Sequence, residues 1–166
     1  MSKPFSDTNP KLVGAFSTLR PFLSHIQMAA LTTMTRSAHC EEWQFYVAKV
    51  EALADLVAGM AQTYQQEGNG DQATVYLHYF IGGSDWYITE KDVDGGVKQA
   101  FGYAVLNADE DCAELGYISI QEITYGAELD LYFAPRTLAD VKAERIAALS
   151  PSAPASRTKT SGPATS

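Results

Sequence analysis

Residues 74–133 carry the five segments that decide the fold: TVYLHYFIGG (74–83), SDWYITEKD (84–92), QAFGYAVLN (99–107), AELGYISIQEI (113–123) and GAELDLYF (126–133). They are short and rich in aromatic and β-branched residues, and Gly, Asn or Asp separates them. This pattern is typical of the strands of one antiparallel sheet. Eleven of the chain's 18 aromatic residues lie here. The sequence therefore predicts one sheet built from residues 74–133.

The first two strands have recognisable limits. Residues 75–81 carry bulky side chains at successive positions, which predicts a central strand with helices over one face. Gly82 and Gly83 supply the positive backbone dihedrals of a tight hairpin. The next strand is predicted over residues 86–91.

Three further signals lie later in the sheet region. Gly102, inside the strand predicted over residues 99–106, indicates a bulge or the close approach of another group. Ser119 and Glu122 have the spacing of a capping box, which predicts one helical turn after the short strand at 114–118. The last strand is predicted over residues 128–133.

The residues before the sheet predict helices. A short helix begins near Lys11 and ends or restarts at Pro21. Apolar residues then recur at spacings of three and four over residues 21–36 and, most clearly, 41–62. The short break between these two segments predicts a helical hairpin that covers one face of the sheet.

After the sheet, Thr137 is placed to cap a helix that runs to residue 149. Residues 150–166 contain no large apolar side chain, so we expect a disordered tail whose deletion leaves folding intact. Residues 1–10 are predicted to be a loose lead-in. The prediction is one α+β domain over residues 1–149, with a helical part at 11–62 and a sheet part at 74–133.

Charge is unevenly distributed along the chain. The net charge is −8 and the sequence pI is about 4.7. Residues 71–133 contain 12 acidic and 2 basic side chains, a net charge of −10, whereas the rest of the chain carries +2. Binding to nucleic-acid phosphates requires Lys and Arg to displace counterions, so we expect no nucleic-acid partner.

Cellular location follows from what the sequence contains. Cys40 and Cys112 are the only cysteines, which is too few for the disulfide framework of a small secreted domain. No run of 18 apolar residues occurs, and the first residues do not resemble a signal peptide. These features predict a cytoplasmic protein with no membrane partner.

Metal and cofactor sites are not predicted. The segment DVDGG (92–96) resembles the start of a calcium loop, but Lys98, Ala100 and Tyr103 occupy the ligand positions that follow. His39, Cys40, Glu41 and Glu42 are consecutive, without the ligand spacing of a zinc site, and favour an acidic helix N-terminus.

The sheet motifs carry a resemblance to a known family. Asp85-Trp86-Tyr87, Glu114-Leu115-Gly116-Tyr117 and Glu128-Leu129-Asp130-Leu131, within residues 63–141, resemble the proteins grouped as domain of unknown function 2958. Those proteins occur in bacterial plasmids, integrative elements and phages. The resemblance implies an accessory protein of a mobile element, and it implies no activity or catalytic residue.

Two classes of function remain open, and the first is a protein-binding module. An acidic, aromatic sheet surface would dock on a host or defence protein, including one that normally contacts nucleic acid. The alternative for the aromatic residues is a place in the core, with the carboxylates serving only solubility. The predicted binding residues are Asp85, Trp86, Tyr87, Tyr103, Glu128, Asp130 and Tyr132.

The second class is a small enzyme. Its acid–base candidates are Asp85, Glu90, Glu128 and Asp130, with His78 or Tyr87 as helpers. No nucleophile–base pair follows from the spacing, so the sequence favours binding over catalysis and no catalytic residue is assigned. Convergence of these carboxylates in a buried cleft would favour the enzyme, and their spread over a convex face would favour binding.

Overall fold

The computed structural model describes residues 9–36 and 41–150. This part of the chain forms an α+β domain, which confirms the predicted fold class. The predicted lead-in, apart from Asn9 and Pro10, and the predicted tail, apart from Ser150, lie outside the described residues, as do His39 and Cys40. The helices and strands, in chain order, are α1 (Pro10–Leu19), α2 (His25–Arg36), α3 (Trp43–Gly59), β1 (Thr74–Val75), β2 (Leu77–Ile81), β3 (Ser84–Asp92), β4 (Gly96–Val105), β5 (Glu114–Ile118), α4 (Ile120–Ile123), β6 (Glu128–Leu129), β7 (Arg136–Thr137) and α5 (Leu138–Leu149).

The main sheet is antiparallel and has the strand order β5-β4-β3-β2-β6. The β2–β3 hairpin turns at Gly82 and Gly83, as predicted, and Gly82 has a positive φ of 54°. The strand predicted over residues 75–81 is divided, because β1 leaves the main sheet and pairs with β7 in a separate two-stranded sheet. Sequence analysis did not predict β7.

Side-chain caps explain where α1 and α2 begin. The Asn9 side-chain oxygen accepts hydrogen bonds from the backbone N–H groups of Lys11 (3.1 Å) and Leu12 (3.4 Å). The predicted helix at 21–36 begins later, at His25, because Ser24 Oγ accepts from the Gln27 N–H at 3.1 Å.

The longest helix, α3, is shorter than the predicted 41–62. Met60 is extended (φ −61°, ψ 149°), so the helix ends at Gly59. The next residues pair with β3 instead of continuing the helix. Lys91 N–H donates to the Ala61 carbonyl at 2.8 Å, and Thr63 N–H donates to the Lys91 carbonyl at 2.8 Å.

Helices α2 and α3 pack on one face of the main sheet, as predicted, and α1 joins them in the same apolar cluster. Tyr79 and Ile88 lie fully buried beneath them. The Tyr79 hydroxyl donates a hydrogen bond to the Phe22 carbonyl at 2.7 Å, so this buried polar group is satisfied. Burial of this apolar face supplies the main stabilisation of the domain.

Helix α5 packs on the opposite face of the sheet, a contact that the sequence did not predict. Leu138 and Val141 of α5 pack in one apolar cluster with Tyr87, Tyr103 and Val105. The Thr137 hydroxyl accepts from the Asp140 N–H at 3.2 Å and starts the helix where the sequence predicted. The sheet is therefore covered by helices on both faces.

The last strand is much shorter than the predicted 128–133. Asp130 Oδ1 accepts a hydrogen bond from the Tyr132 N–H at 2.9 Å, and this local turn ends β6 after Leu129. The Gln27 side chain then occupies the outer side of β6. Its Nε2 donates to the Leu129 carbonyl and its Oε1 accepts from the Leu129 N–H, both at 2.8 Å. Gln27 thus takes the place of a further strand at this edge.

Gly102 confirms the prediction of close approach. A Cβ atom at this position would lie 2.1 Å from the Tyr87 carbonyl oxygen. The β3–β4 register shifts nearby, between Ile88 and Glu90. Only glycine leaves room for the backbone of β3 here.

Candidate functional site

A network of charged side chains lies on the α5 side of the sheet, centred on His78 of β2. His78 Nε2 lies 2.8 Å from Asp85 Oδ1, and His78 Nδ1 lies 3.2 Å from Asp130 Oδ2. The imidazole stacks on the Tyr87 ring, with ring centroids 4.6 Å apart and planes within 5°. A neutral imidazole has one N–H, so only the doubly protonated ring donates to both carboxylates.

Arg145 of α5 extends this network. Its Nη1 donates to Asp85 Oδ2 and to the Tyr87 hydroxyl, both at 2.9 Å. Its Nε and Nη2 donate to Glu110 Oε1, at 2.9 and 2.5 Å. The network therefore joins α5, β3 and the loop that contains Glu110.

The partial burial of the network makes its charges interdependent. Burial alone would raise the pKa of Asp85, but hydrogen bonds from His78 and Arg145 lower that pKa below its ordinary value. Burial would lower the pKa of Arg145, and the hydrogen bonds to Glu110, Tyr87 and Asp85 raise it instead. Burial is also the main cause of the raised pKa of Tyr87.

The structure brings together four of the six residues considered for an enzyme, namely His78, Asp85, Tyr87 and Asp130. Each carboxylate oxygen of Asp85 and Asp130 lies within hydrogen-bonding distance of a nitrogen atom of the protein. These contacts also occupy both ring nitrogens of His78. The network holds α5 against the sheet. The atoms that could exchange a proton with a substrate already contact other groups of the protein.

The other two enzyme candidates lie elsewhere. Glu90 is buried beside the segment 63–73, where one of its oxygens accepts from the Gln66 N–H at 3.3 Å. Glu128 is exposed at the edge strand β6. The four carboxylates therefore do not converge in one cleft.

The predicted binding residues divide into three groups. Tyr87 and Tyr103 are buried under α5, and the half-buried Trp86 packs against the helical side of the core, so the structure places these three rings in or against the core. This is the alternative that placed the aromatic residues in the core. Asp85 and Asp130 are engaged in the network described above. Glu128 and Tyr132 lie at the surface.

One exposed apolar side chain lies beside Glu128. Phe80 is its direct cross-strand partner, so the two side chains share one face. Ile81 follows Phe80 in β2, so its side chain lies on the other face of the sheet, where a Cβ atom on Gly126 would lie 3.2 Å from Ile81 Cδ1. Phe80, Ile81 and Tyr125 are 39%, 47% and 85% exposed. We call the surface formed by Phe80 and Glu128 the β6 edge patch.

Tyr132 lies outside this patch. Its ring is 70% exposed, and Lys49 Nζ of α3 lies 5.0 Å from the ring centroid. Tyr132 is therefore accessible. However, it contacts a basic side chain and does not belong to the acidic surface that was predicted from the sequence.

Sequence reasoning missed Arg145 and Glu110. Arg145 belongs to a helix with a modest apolar pattern, and Glu110 belongs to a loop that was interpreted as surface. Neither has a local motif, because their pairing depends on how α5 docks on the sheet. The one available signal was the excess of acidic residues in the sheet region, which indicates that a basic side chain from another part of the chain pairs with them.

The described residues contain neither a metal-binding cluster nor a membrane-spanning helix. In residues 9–36 and 41–150, no group of three or more His, Cys, Asp or Glu side chains is placed to hold a metal ion. Within the same ranges, no helix is long and apolar enough to cross a bilayer.

Comparisons with protein-family models, curated proteins and solved structures found no match to this chain. The resemblance to domain of unknown function 2958 therefore stays a prediction.

Proposed function

We propose that this chain is a non-catalytic protein-binding module that recognises a basic surface of another protein through the β6 edge patch. The observation that carries the proposal is the position of the exposed Glu128 carboxylate beside the exposed ring of Phe80. Aromatic side chains at a surface supply binding energy, and charges supply steering and specificity.

The charge of Glu128 is available to a partner. It forms no ion pair with any residue in the described part of the chain. Asp130, by contrast, contacts the His78 imidazole, and Asp85 contacts both His78 and Arg145. Steering toward a cationic partner therefore depends on carboxylates such as Glu128 and on the net charge of −8 over the whole chain.

The mode of binding follows from the edge of the sheet. Gln27 already pairs with the N–H and carbonyl groups of Leu129. A partner strand cannot add to β6 at that point without displacing this side chain. The partner therefore contacts side chains of the patch and does not extend the sheet.

The resemblance of the sheet motifs to domain of unknown function 2958 supports a biological setting for this proposal. In that setting the chain is an accessory protein of a bacterial mobile element. The partner class is a host or defence protein with a basic surface, which includes proteins that normally contact nucleic acid.

The enzyme remains the alternative function, and it rests on the grouping of His78, Asp85, Tyr87 and Asp130. Their hydrogen-bonding atoms are engaged with one another, with Arg145 or with the backbone. A catalytic acid or base needs an atom that can reach substrate, so this geometry favours the binding module.

A charge-reversal comparison tests the proposal. Tagged wild-type protein, Glu128→Lys and Glu114→Lys are used to recover partners from host extract. Glu114 is exposed on the opposite edge strand β5, so both variants change the net charge equally. We expect Glu128→Lys alone to lose a partner that wild type and Glu114→Lys retain. Equal recovery by all three proteins, or equal loss from both variants, would contradict the proposed patch.

A further inference from the structure

A cavity of about 420 Å³ lies on the α5 side of the sheet, next to the area that α5 covers. Phe101 lies two residues before Tyr103 on β4, and its cross-strand partner is Tyr117 of β5, so these side chains share that face. Segment 63–73 closes the opposite wall. The volume is within the range of roughly 300–1,000 Å³ that is usual for ligand sites. The lining includes Tyr64, Gln66, Glu90, Phe101, Leu115 and Tyr117.

A buried carboxylate lines this cavity. Glu90 is 5% exposed, and the Gln66 N–H donates to its Oε2 at 3.3 Å. No Lys, Arg or His within the described ranges forms an ion pair with it. A buried carboxylate that lacks a cation carries a desolvation cost, and a bound cation would offset that cost.

Aromatic rings form the wall around Glu90. The hydroxyl oxygens of Tyr64 and Tyr117 lie 2.7 Å apart, and the Phe101 and Tyr117 rings meet edge to face at 5.6 Å. The face of an aromatic ring attracts cations, and several such rings recognise organic ammonium groups. A neutral ligand would leave the carboxylate unpaired, and an anion would be repelled by it.

The cavity wall is fixed before any ligand binds. Gln66 Nε2 donates to the carbonyls of Thr74 (2.9 Å) and Thr89 (2.6 Å), and Gln66 Oε1 accepts from the Thr74 N–H at 2.6 Å. These bonds attach segment 63–73 to the sheet. Tyr64 has a φ of 74°, a conformation that is uncommon for residues other than glycine and is found preferentially at functional sites.

We propose that this cavity is a binding site for an organic ammonium group, with Glu90 as its counter-ion and the rings of Tyr64, Phe101 and Tyr117 around its alkyl part. The site lies at the β5 side of the sheet, whereas the β6 edge patch lies at the other edge. The inference therefore does not depend on the proposed function. A free amine and a lysine side chain of another protein share the required chemistry.

The test is an NMR titration of the full chain with matched probes at constant ionic strength. The probes are n-butylammonium, neutral n-butanol, and the Nα-acetyl N-methylamide of lysine. We expect saturable shifts of the Gln66 and Tyr117 amide signals with butylammonium, and at least about 10-fold weaker binding of butanol. Equal affinity for the two probes, or no saturable shift, would overturn the proposal. This comparison uses wild-type protein and does not depend on the folding of a variant.

Two variants then locate the counter-ion. Glu90→Gln keeps the size of the side chain and removes its charge, so we expect at least about 10-fold weaker butylammonium binding. Glu122→Gln makes the same change at an exposed position on α4 and should leave binding unchanged. Unchanged binding by Glu90→Gln would refute the role of Glu90.

The lysine derivative distinguishes the two sources of ligand. Binding of this probe at least as tight as that of butylammonium identifies a protein lysine as the natural ligand class. If the lysine derivative does not bind and butylammonium does, the natural ligand is a free amine.

Discussion

Arg145 of α5 donates a hydrogen bond to Asp85 of β3 across 2.9 Å, and this pair fixes the C-terminal helix on the sheet. The two residues are 60 positions apart in the chain. The apolar contribution of α5 comes mainly from its buried residues Leu138 and Val141, both near its beginning. The contacts of Arg145 therefore fix the position of the C-terminal part of α5 on the sheet.

Removal of the Arg145 charge should destabilise the domain. Arg145→Met keeps a long apolar side chain but leaves Asp85 and Glu110 without their cation. We expect the free energy of unfolding to fall by about 2–4 kcal/mol, which urea titration would measure. Lys142→Met, which removes an exposed pair with Asp71, should cost less than about 1 kcal/mol. Equal losses for the two variants would show that the network does not stabilise α5.

The lowered pKa of Asp85 predicts a dependence of stability on pH. A carboxylate whose pKa is lower in the folded state stabilises the fold above its unfolded-state pKa, about 3.9 for Asp. That stabilisation is lost as the pH falls through the lower folded-state value. The titratable groups of this network are Asp85, Asp130, Glu110, His78, Tyr87 and Arg145.

Asp85→Asn tests this dependence. The difference in unfolding free energy between wild type and variant should be about 1–3 kcal/mol at pH 7 and should shrink below pH 4. The measurement is urea unfolding at a series of pH values. A difference that stays constant or grows on acidification would contradict the role given to Asp85.

The strands and helices could be predicted because their signals are local. Residue spacing and turn-forming residues predicted the β2–β3 hairpin, the cap at Thr137 and the close approach at Gly102. The length of the last strand could not be predicted, because the Asp130 side chain competes with the sheet for the Tyr132 N–H.

The candidate site was predicted less well than the fold. His78, Asp85 and Asp130 were named, but their mutual contacts depend on the β2–β3 register and on the course of the chain after β6. The docking of α5 was not predicted, because the apolar pattern of this helix is weak and does not indicate which element the helix packs against. Burial of Tyr87 and Tyr103 follows from that docking.

A comparison of two cross-strand glycines tests the close approach of β3 and β4. Gly102 and Gly116 are register partners, and a Cβ would clash at the first but meet nothing within 4 Å at the second. Gly102→Ala should lower the free energy of unfolding by about 2 kcal/mol or more. Gly116→Ala should change it by less than about 0.5 kcal/mol. Thermal unfolding of both variants gives the comparison, and similar melting temperatures would count against the predicted clash.

The role of Gln27 at the edge of the sheet gives another prediction. Gln27→Glu replaces the Nε2 donor with a carboxylate oxygen, which would then face the Leu129 carbonyl. We expect a loss of about 1–3 kcal/mol at neutral pH, measured by urea unfolding. Gln121→Glu is the same change at an exposed position on α4 and should be nearly neutral. If both variants are neutral, Gln27 does not hold β6 in place.

The central claim is that Glu128 steers a basic protein to the β6 edge patch. The most direct measurement is the association rate of the purified complex as a function of ionic strength, for wild type, Glu128→Lys and Glu114→Lys. We predict that the wild-type rate falls steeply as salt is raised. Glu128→Lys should associate about 10-fold more slowly at low salt, and Glu114→Lys should stay within about 2-fold of wild type. A rate that does not depend on salt, an unchanged rate for Glu128→Lys, or retention of the wild-type protein on DNA at physiological salt would contradict the claim.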